Sequence, residues 1–176
     1  MKRLLVGNEN LTPKPPQKEV FKGLIGGTLG IMILLLISEY SQYIWIMAPF
    51  GATCVLLFAA SGSPLAQPRN VILGHLITAF IGILFLKLFE INTVTISLAV
   101  GLGIALMQLC RAIHPPAGAN PLVILLTAST VHYGWDFLIT PVLVGSISLV
   151  LVAVFVNSIF DGKKWPNYWL AVIKTK

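Results

Sequence analysis

Four stretches of this chain, Glu19–Tyr40, Val71–Phe89, Val94–Ala112 and Phe137–Phe160, run apolar with charges only near their ends. A helix of roughly 20 apolar residues crosses the ~30 Å hydrocarbon core of a bilayer. Composition agrees: 56% of the 176 residues are hydrophobic, 10% are charged, and the mean hydropathy is +0.87. Soluble domains carry about a quarter charged residues. The chain therefore reads as an all-α membrane protein with about six transmembrane segments and no sizeable soluble domain.

The net charge of +6 sits at the ends of the chain. Lys2, Arg3, Lys14, Lys18 and Lys22 precede or open the first apolar run, and Lys163, Lys164, Lys174 and Lys176 follow the last. Positive flanks stay cytoplasmic, so both termini are expected inside and the number of crossings is even. No aromatic-interleaved basic stretch points to nucleic acid. Cys54 and Cys110 lie in apolar context and do not suggest a disulfide. Residues Leu4–Val6 are too short to be a secretory core, and no leader is expected.

Residues 1–18, with Pro13, Pro15 and Pro16, read as a flexible cytoplasmic arm, and 161–176 as a basic cytoplasmic tail. Tyr40, Tyr43 and Trp45 would form an aromatic belt at the far interface. Small residues repeat at four-residue spacing, Gly26/Gly30 and Gly74/Thr78/Gly82, as helix-contact faces do. These faces motivate a homo-oligomer.

Two stretches, Ile44–Ala60 and Pro121–Val131, are short, and each has a broken start. A shift of 67 positions places Pro49 on Pro116, Gly51 on Gly118, Ala52 on Ala119 and Thr53 on Asn120. Residues 19–89 and 94–160 therefore read as two three-segment repeats, with segments two and five short and broken by Pro and Gly. An odd number of spans per repeat makes the two copies inverted. Arg69 and Arg111 then fall inside and Glu39, Glu90 and Asp136 outside, with Lys87 the one dissenter. Four full spans with two re-entrant segments would also leave both termini inside.

Irregular backbone at membrane depth survives where it is buried or lines water, and paired Pro/Gly breaks point to a transport site. Thr53 and Asn120 are good N-caps, and Pro121 suits the first helical position. Two half-helix N-termini meeting there would attract an anion. Gly51, Ala52 and Thr53 would form one side, and Gly118, Ala119 and Asn120 the other. Arg111 and His114, three apart, would share a helix face if the helix persists and add positive potential. Arg111 could equally be an end-of-helix anchor, and His114 a helix C-cap whose ring bonds a carbonyl. His75, inside the third span, is either a proton relay or a bond to a neighbouring helix. Cys110 and His114 are four apart, as helical metal ligands are, but too few partners exist for a metal site, and no cofactor is expected. No acid orients a Cys–His pair for catalysis, so the chain is not expected to be an enzyme.

The motifs "APFGATCVLLFA" from Ala48, "SPLAQPRNVILGH" from Ser63 and "HPPAGANPL" from His114 resemble the HPP family of small integral membrane proteins, over roughly residues 20–160. That resemblance implies nitrite transport of the kind associated with cyanobacteria and plastids, and hence a bacterial inner membrane. Some members carry a C-terminal CBS nucleotide-binding module, which these 176 residues do not contain. The expected function is thus a transporter or channel for a small monovalent anion, most of all nitrite, with that anion, the bilayer and further copies of the chain as partners. Channel-like passage and proton-coupled carriage both stay open. The alternative is a membrane scaffold or sensor subunit.

Overall fold

The computed structural model describes residues 13–41, 46–162 and 165–169. Among these residues six α-helices follow in order: α1 Gln17–Ser41, α2 Ala48–Ala59, α3 Pro68–Leu88, α4 Thr93–Leu109, α5 Asn120–Thr127 and α6 Val144–Asp161. Tight 3₁₀ turns lie at Pro64–Ala66, Pro115–Ala119 and Trp135–Leu138. No strand occurs among the described residues. Three segments, α1, α3 and Trp135–Asp161, are long and apolar enough to cross a membrane. At 1.5 Å per residue, the 17 residues of α4 rise about 26 Å, the 12 of α2 about 18 Å and the 8 of α5 about 12 Å. Segments two and five are therefore short of a full crossing.

Local chemistry accounts for the ends. Pro49 and Pro121 sit in the first turns of α2 and α5, where a missing N–H costs nothing. Asn92 opens α4 with a capping box: its side chain accepts from the N–H groups of Val94 and Thr95, while Thr95 Oγ1 accepts the N–H of Asn92. The helix closes with a Schellman turn. Ala112 N–H donates to Met107 O (2.8 Å), Arg111 N–H donates to Gln108 O (3.0 Å), and Arg111 takes φ = 54°. The last span is interrupted rather than continuous from Phe137. Thr140 leaves helical geometry (φ −126°, ψ 106°) ahead of Pro141, whose ring disfavours the helical region for the residue before it.

α1 packs on α2 and α6, and α3 packs on α4, α5 and α6. The glycine faces are used inside the chain. Gly26 lies against the Phe58 ring, Gly30 against Leu149 and Cys54, Gly74 against His114, and Gly82 against Ile124 and Pro121. The Gly26/Gly30 and Gly74/Thr78/Gly82 faces are thus not available to other copies, which removes the motive that the sequence offers for a homo-oligomer. The interior holds Leu34, Phe50, Leu57, Phe58 and Leu149, while Leu24, Leu35, Leu98, Leu151 and Phe155 are exposed. An apolar outer surface of this extent suits lipid.

The two ends of the bundle differ. At one, Lys22 Nζ is buried 2.7 Å from Glu19 and 2.8 Å from Asp161. Trp165 Nε1 donates to Ser61 O (3.0 Å), and Asn167 N–H donates to Gln67 Oε1 (2.8 Å). At the other end, Lys87 lies over the Trp135 ring, near Glu90 and Asp136 in sequence. Tyr40 of the expected aromatic belt is exposed; Tyr43 and Trp45 lie outside the described residues, as do Lys2, Arg3 and the four lysines after residue 162.

Candidate functional site

α3 enters at Pro68, and His75 lies two turns along it, about 11 Å in at 1.5 Å per residue; Thr78 is about 15 Å in. Both lie inside this apolar helix, away from its ends. Three other segments deliver polar side chains to this level: α2 brings Thr53, the link from α4 to the Pro115–Ala119 turn brings His114, and α5 brings Asn120. All four side chains, Thr53, His75, His114 and Asn120, are buried.

They form one hydrogen-bonded network. Thr53 Oγ1 is 2.8 Å from His75 Nε2 and 2.9 Å from His114 Nε2. Asn120 Nδ2 is 3.1 Å from His75 Nδ1, and it donates to His75 O (3.1 Å) and Thr78 Oγ1 (2.9 Å). His114 Nδ1 is 2.8 Å from Leu65 O. The partners dictate the tautomers. An amide nitrogen cannot accept, so His75 Nδ1 is the acceptor and His75 Nε2–H donates to Thr53 Oγ1. A carbonyl cannot donate, so His114 Nδ1–H donates to Leu65 O. With both rings neutral, His114 Nε2 carries the lone pair, and the Thr53 hydroxyl donates to it. The rings of His75 and His114 meet edge to face at 5.0 Å, and Phe50 closes the other side of His75, also at 5.0 Å. Asn120 Oδ1 is buried and has no hydrogen-bond partner among the described residues.

An open groove of about 490 Å³ adjoins the network. Ala48, Pro49, Ala52 and Leu56 of α2 line one side, and Pro115, Pro116 and Ala119 line the other. Thr53 and Asn120 are the chain neighbours of Ala52 and Ala119. A Cβ at Gly51 or Gly118 would meet no atom within 4 Å, so both glycines face open space. Pro49, Pro115 and Pro116 have no N–H, while Phe50 N–H and Ala117 N–H bond back to Met47 O (2.9 Å) and His114 O (3.0 Å). The backbone at these two starts offers few free donors.

Several expectations change. Thr53 and Asn120 are not N-caps; those positions belong to Met47 and Ala119, neither with a side-chain cap. Pro49 starts α2 a turn earlier, which leaves Thr53 inside the helix with Oγ1 also 3.1 Å from Pro49 O. Asn120 is the first residue of α5, and its amide turns to α3. Arg111 and His114 do not share a helix face, because α4 ends at Leu109 and the backbone reverses at Arg111, which leaves Arg111 exposed and His114 buried. Cys110 and His114 part for the same reason, Cys110 being exposed. His114 is not a helix C-cap, although its ring does bond a carbonyl. His75 bonds neighbouring segments, as one of its two readings has it. Nothing in the sequence singles out Leu65 O, and Thr78 is marked there only as part of a small-residue helix face. The offset of 67 is the signal that finds the network, because its pair Thr53 and Asn120 hold the two nitrogens of one ring, His75.

Residues 12–166 match the family described as "HPP, transmembrane region". Two proteins of Dictyostelium discoideum, both named only as transmembrane proteins, are each 33% identical to the chain. The alignments cover 93% and 96% of this chain but 55% and 62% of those relatives, so the chain spans little more than half their length. Both come from a eukaryote, and neither name indicates a cargo. No solved structure matches the chain.

Proposed function

The chain belongs to the HPP transmembrane family, and on that premise we propose that it moves a small monovalent anion, nitrite above all, across the membrane. The observation that carries this reading is the meeting of two proline-broken segments, α2 and the Pro115–Ala119 turn leading into α5, beside one groove. Ala52 from one and Ala119 from the other line it with small side chains, and Gly51 and Gly118 precede them in the chain. Thr53, His114 and Asn120, all buried, are the chain neighbours of the groove residues Ala52, Pro115 and Ala119. With the prolines removing N–H donors, the positive helix ends and His114 supply most of what attracts the anion. Arg111, exposed beside this segment, adds positive potential from the end of the bundle.

Two inverted three-segment repeats, 19–89 and 94–160, underlie this reading. The repeat-related residues Pro49 and Pro116, and Ala52 and Ala119, line the same groove. Exchange of the repeats also turns the α1–α6 contact into the α4–α3 contact, and both pairs are packed. The end carrying Lys22, Arg69 and Arg111 is assigned to the cytoplasm, with both termini there, in a bacterial inner membrane. Further copies of the chain would meet on α4, whose Ser97, Gly101 and Ala105 are exposed at four-residue spacing.

Nitrite influx into liposomes holding only this protein tests the proposal. Influx should exceed that of protein-free vesicles, fall in His114→Ala, and fall further in Gly118→Leu, which puts a large side chain into the open space next to the groove residue Ala119. Folded protein that moves no nitrite overturns it. A scaffold or sensor subunit is the second reading, favoured by the apolar lining of the groove, which also suits a partner helix.

A further inference from the structure

We propose that His114 takes up one proton for each anion carried, and that rotation of the Thr53 hydroxyl is what lets it do so. This rests on the transport reading above and specifies its coupling ion. The geometry at Thr53 Oγ1 is the observation: three groups surround one hydroxyl, His75 Nε2 at 2.8 Å, His114 Nε2 at 2.9 Å and Pro49 O at 3.1 Å. In the neutral network the hydroxyl donates to His114 Nε2 and accepts from His75. When a proton arrives on His114 Nε2, the hydroxyl turns to donate to Pro49 O, and its two lone pairs accept from both imidazoles. His114 then donates to Thr53 Oγ1 and Leu65 O, and no partner is lost in the network. The backbone need not move.

His75 is different. A second proton on it would fall on Nδ1, which faces the Asn120 amide nitrogen at 3.1 Å, donor against donor. His114 is therefore the ring that charges, and His75 the neutral ring that helps hold it.

Among the described residues no fixed charge nearby does this work instead. On α3 the other ionisable side chains are Arg69, which bonds Cys110 O at the bundle end, and Lys87 at the opposite end. α2 adds only Cys54, whose sulfur faces Gly30. Cys110 and Arg111 precede His114 but are exposed. The turns at 64–66 and 115–119, α4 and α5 contain no Asp, Glu, Lys, Arg or His. α6 has only Asp161, which pairs with Lys22; Glu19 also pairs with Lys22 at that end, and Glu39 and Asp136 are exposed near the other.

A buried imidazolium without a counter-ion is costly, and so is an anion stripped of water in an apolar groove. Each offsets the other, because Pro115 and Pro116, the next residues after His114, line that groove. Proton and anion thus bind together or not at all, and the pair crosses without net charge.

The test follows nitrite and protons together in vesicles of purified protein, with influx through protein-free vesicles subtracted and the membrane potential set by a potassium gradient. One proton should enter with each nitrite, and the initial rate should be unchanged when the potential is reversed. Nitrite influx without protons, or influx that follows the potential, overturns this inference and leaves the transport reading in place. Absence of any protein-dependent influx overturns both. Thr53→Ser keeps the rotor and should keep one-to-one coupling, whereas Thr53→Val should lose it; wild-type coupling in Thr53→Val refutes the rotor. A readout separate from flux is the nitrogen-15 spectrum of His114, which should gain a second N–H when nitrite binds. A ring that stays neutral with nitrite bound overturns the inference.

Discussion

Adding one carbon at Gly74 should disable this protein, whereas adding it at Gly51 should not. A Cβ at Gly74 would sit 2.7 Å from His114 Cβ and 3.2 Å from Ala112 O. Carbon atoms rest at about 3.5–4.0 Å, so α3 and the His114 segment must part by about 1 Å. His114 is held by bonds of 2.8 Å to Leu65 O and 2.9 Å to Thr53 Oγ1, and a shift of that size carries either beyond useful length. Overpacking costs about 1–3 kcal/mol, and leaving a buried partner unpaired costs about 1–3 kcal/mol more. Gly74→Ala should therefore lose about 2–6 kcal/mol. Gly51, in α2, has no atom within 4 Å of the added carbon, and Ala in a helix gains about 0.4–1 kcal/mol over Gly. At about 2–4 °C per kcal/mol for a chain of this size, the two variants should differ in melting temperature by at least about 5 °C. Thermal unfolding in one mild detergent measures this. Melting points for Gly74→Ala and Gly51→Ala within about 2 °C of each other would show that the α3–His114 contact is not the tight one described.

Arg111→Gly should raise stability by roughly 1 kcal/mol, since its φ of 54° is a glycine conformation; its nitrite influx relative to the parent then reports how far the Arg111 side chain contributes beyond ending α4. Asp161→Asn should cost about 1–3 kcal/mol by denaturant unfolding in micelles, between the surface and buried limits for an ion pair, because Lys22 is buried and keeps Glu19 as its one carboxylate among the described residues, with Ser61 Oγ at 3.4 Å. Unchanged stability there would mean that the Lys22 cluster is solvated.

The helices were legible to the extent that long apolar runs are. α1, α3 and α4 start within a few residues of the runs that announce them, since burial in lipid needs no periodicity to be read. The ends of α4 and α6 were harder. The usual sign of a helix stop is Gly, and at residue 111 the left-handed position holds Arg, so a reader carries the helix on to Ala112 and places Arg111 and His114 on one face. Thr140–Pro141 carried its signal in plain view, but apolar residues on both sides hid the break. Thr53 and Asn120 have cap chemistry at matching positions, yet Pro49 already starts α2 ahead of Thr53, and Asn120 gains more from donating its two amide hydrogens to α3 than from one N–H of its own helix. The network itself joins residues 22, 45 and 61 positions apart, and no local pattern encodes such pairings.

The same network also explains why the chain breaks ahead of α5. A polar group inside an apolar bundle is costly unless it is bonded, and Thr53 meets two imidazoles from separate segments. A continuous helix in place of the Pro115–Ala119 turn would hold its own N–H and C=O groups and carry His114 along its surface, away from Leu65 O. The prolines at 115 and 116 prevent that, and they remove donors that would otherwise stand unpaired in the groove. Breaking the helix is therefore what allows His114 to be buried, bonded at both nitrogens and next to an open approach at the same time. A replacement such as Pro116→Ala, which leaves Pro115 to end the preceding segment, should keep the fold but loosen this placement.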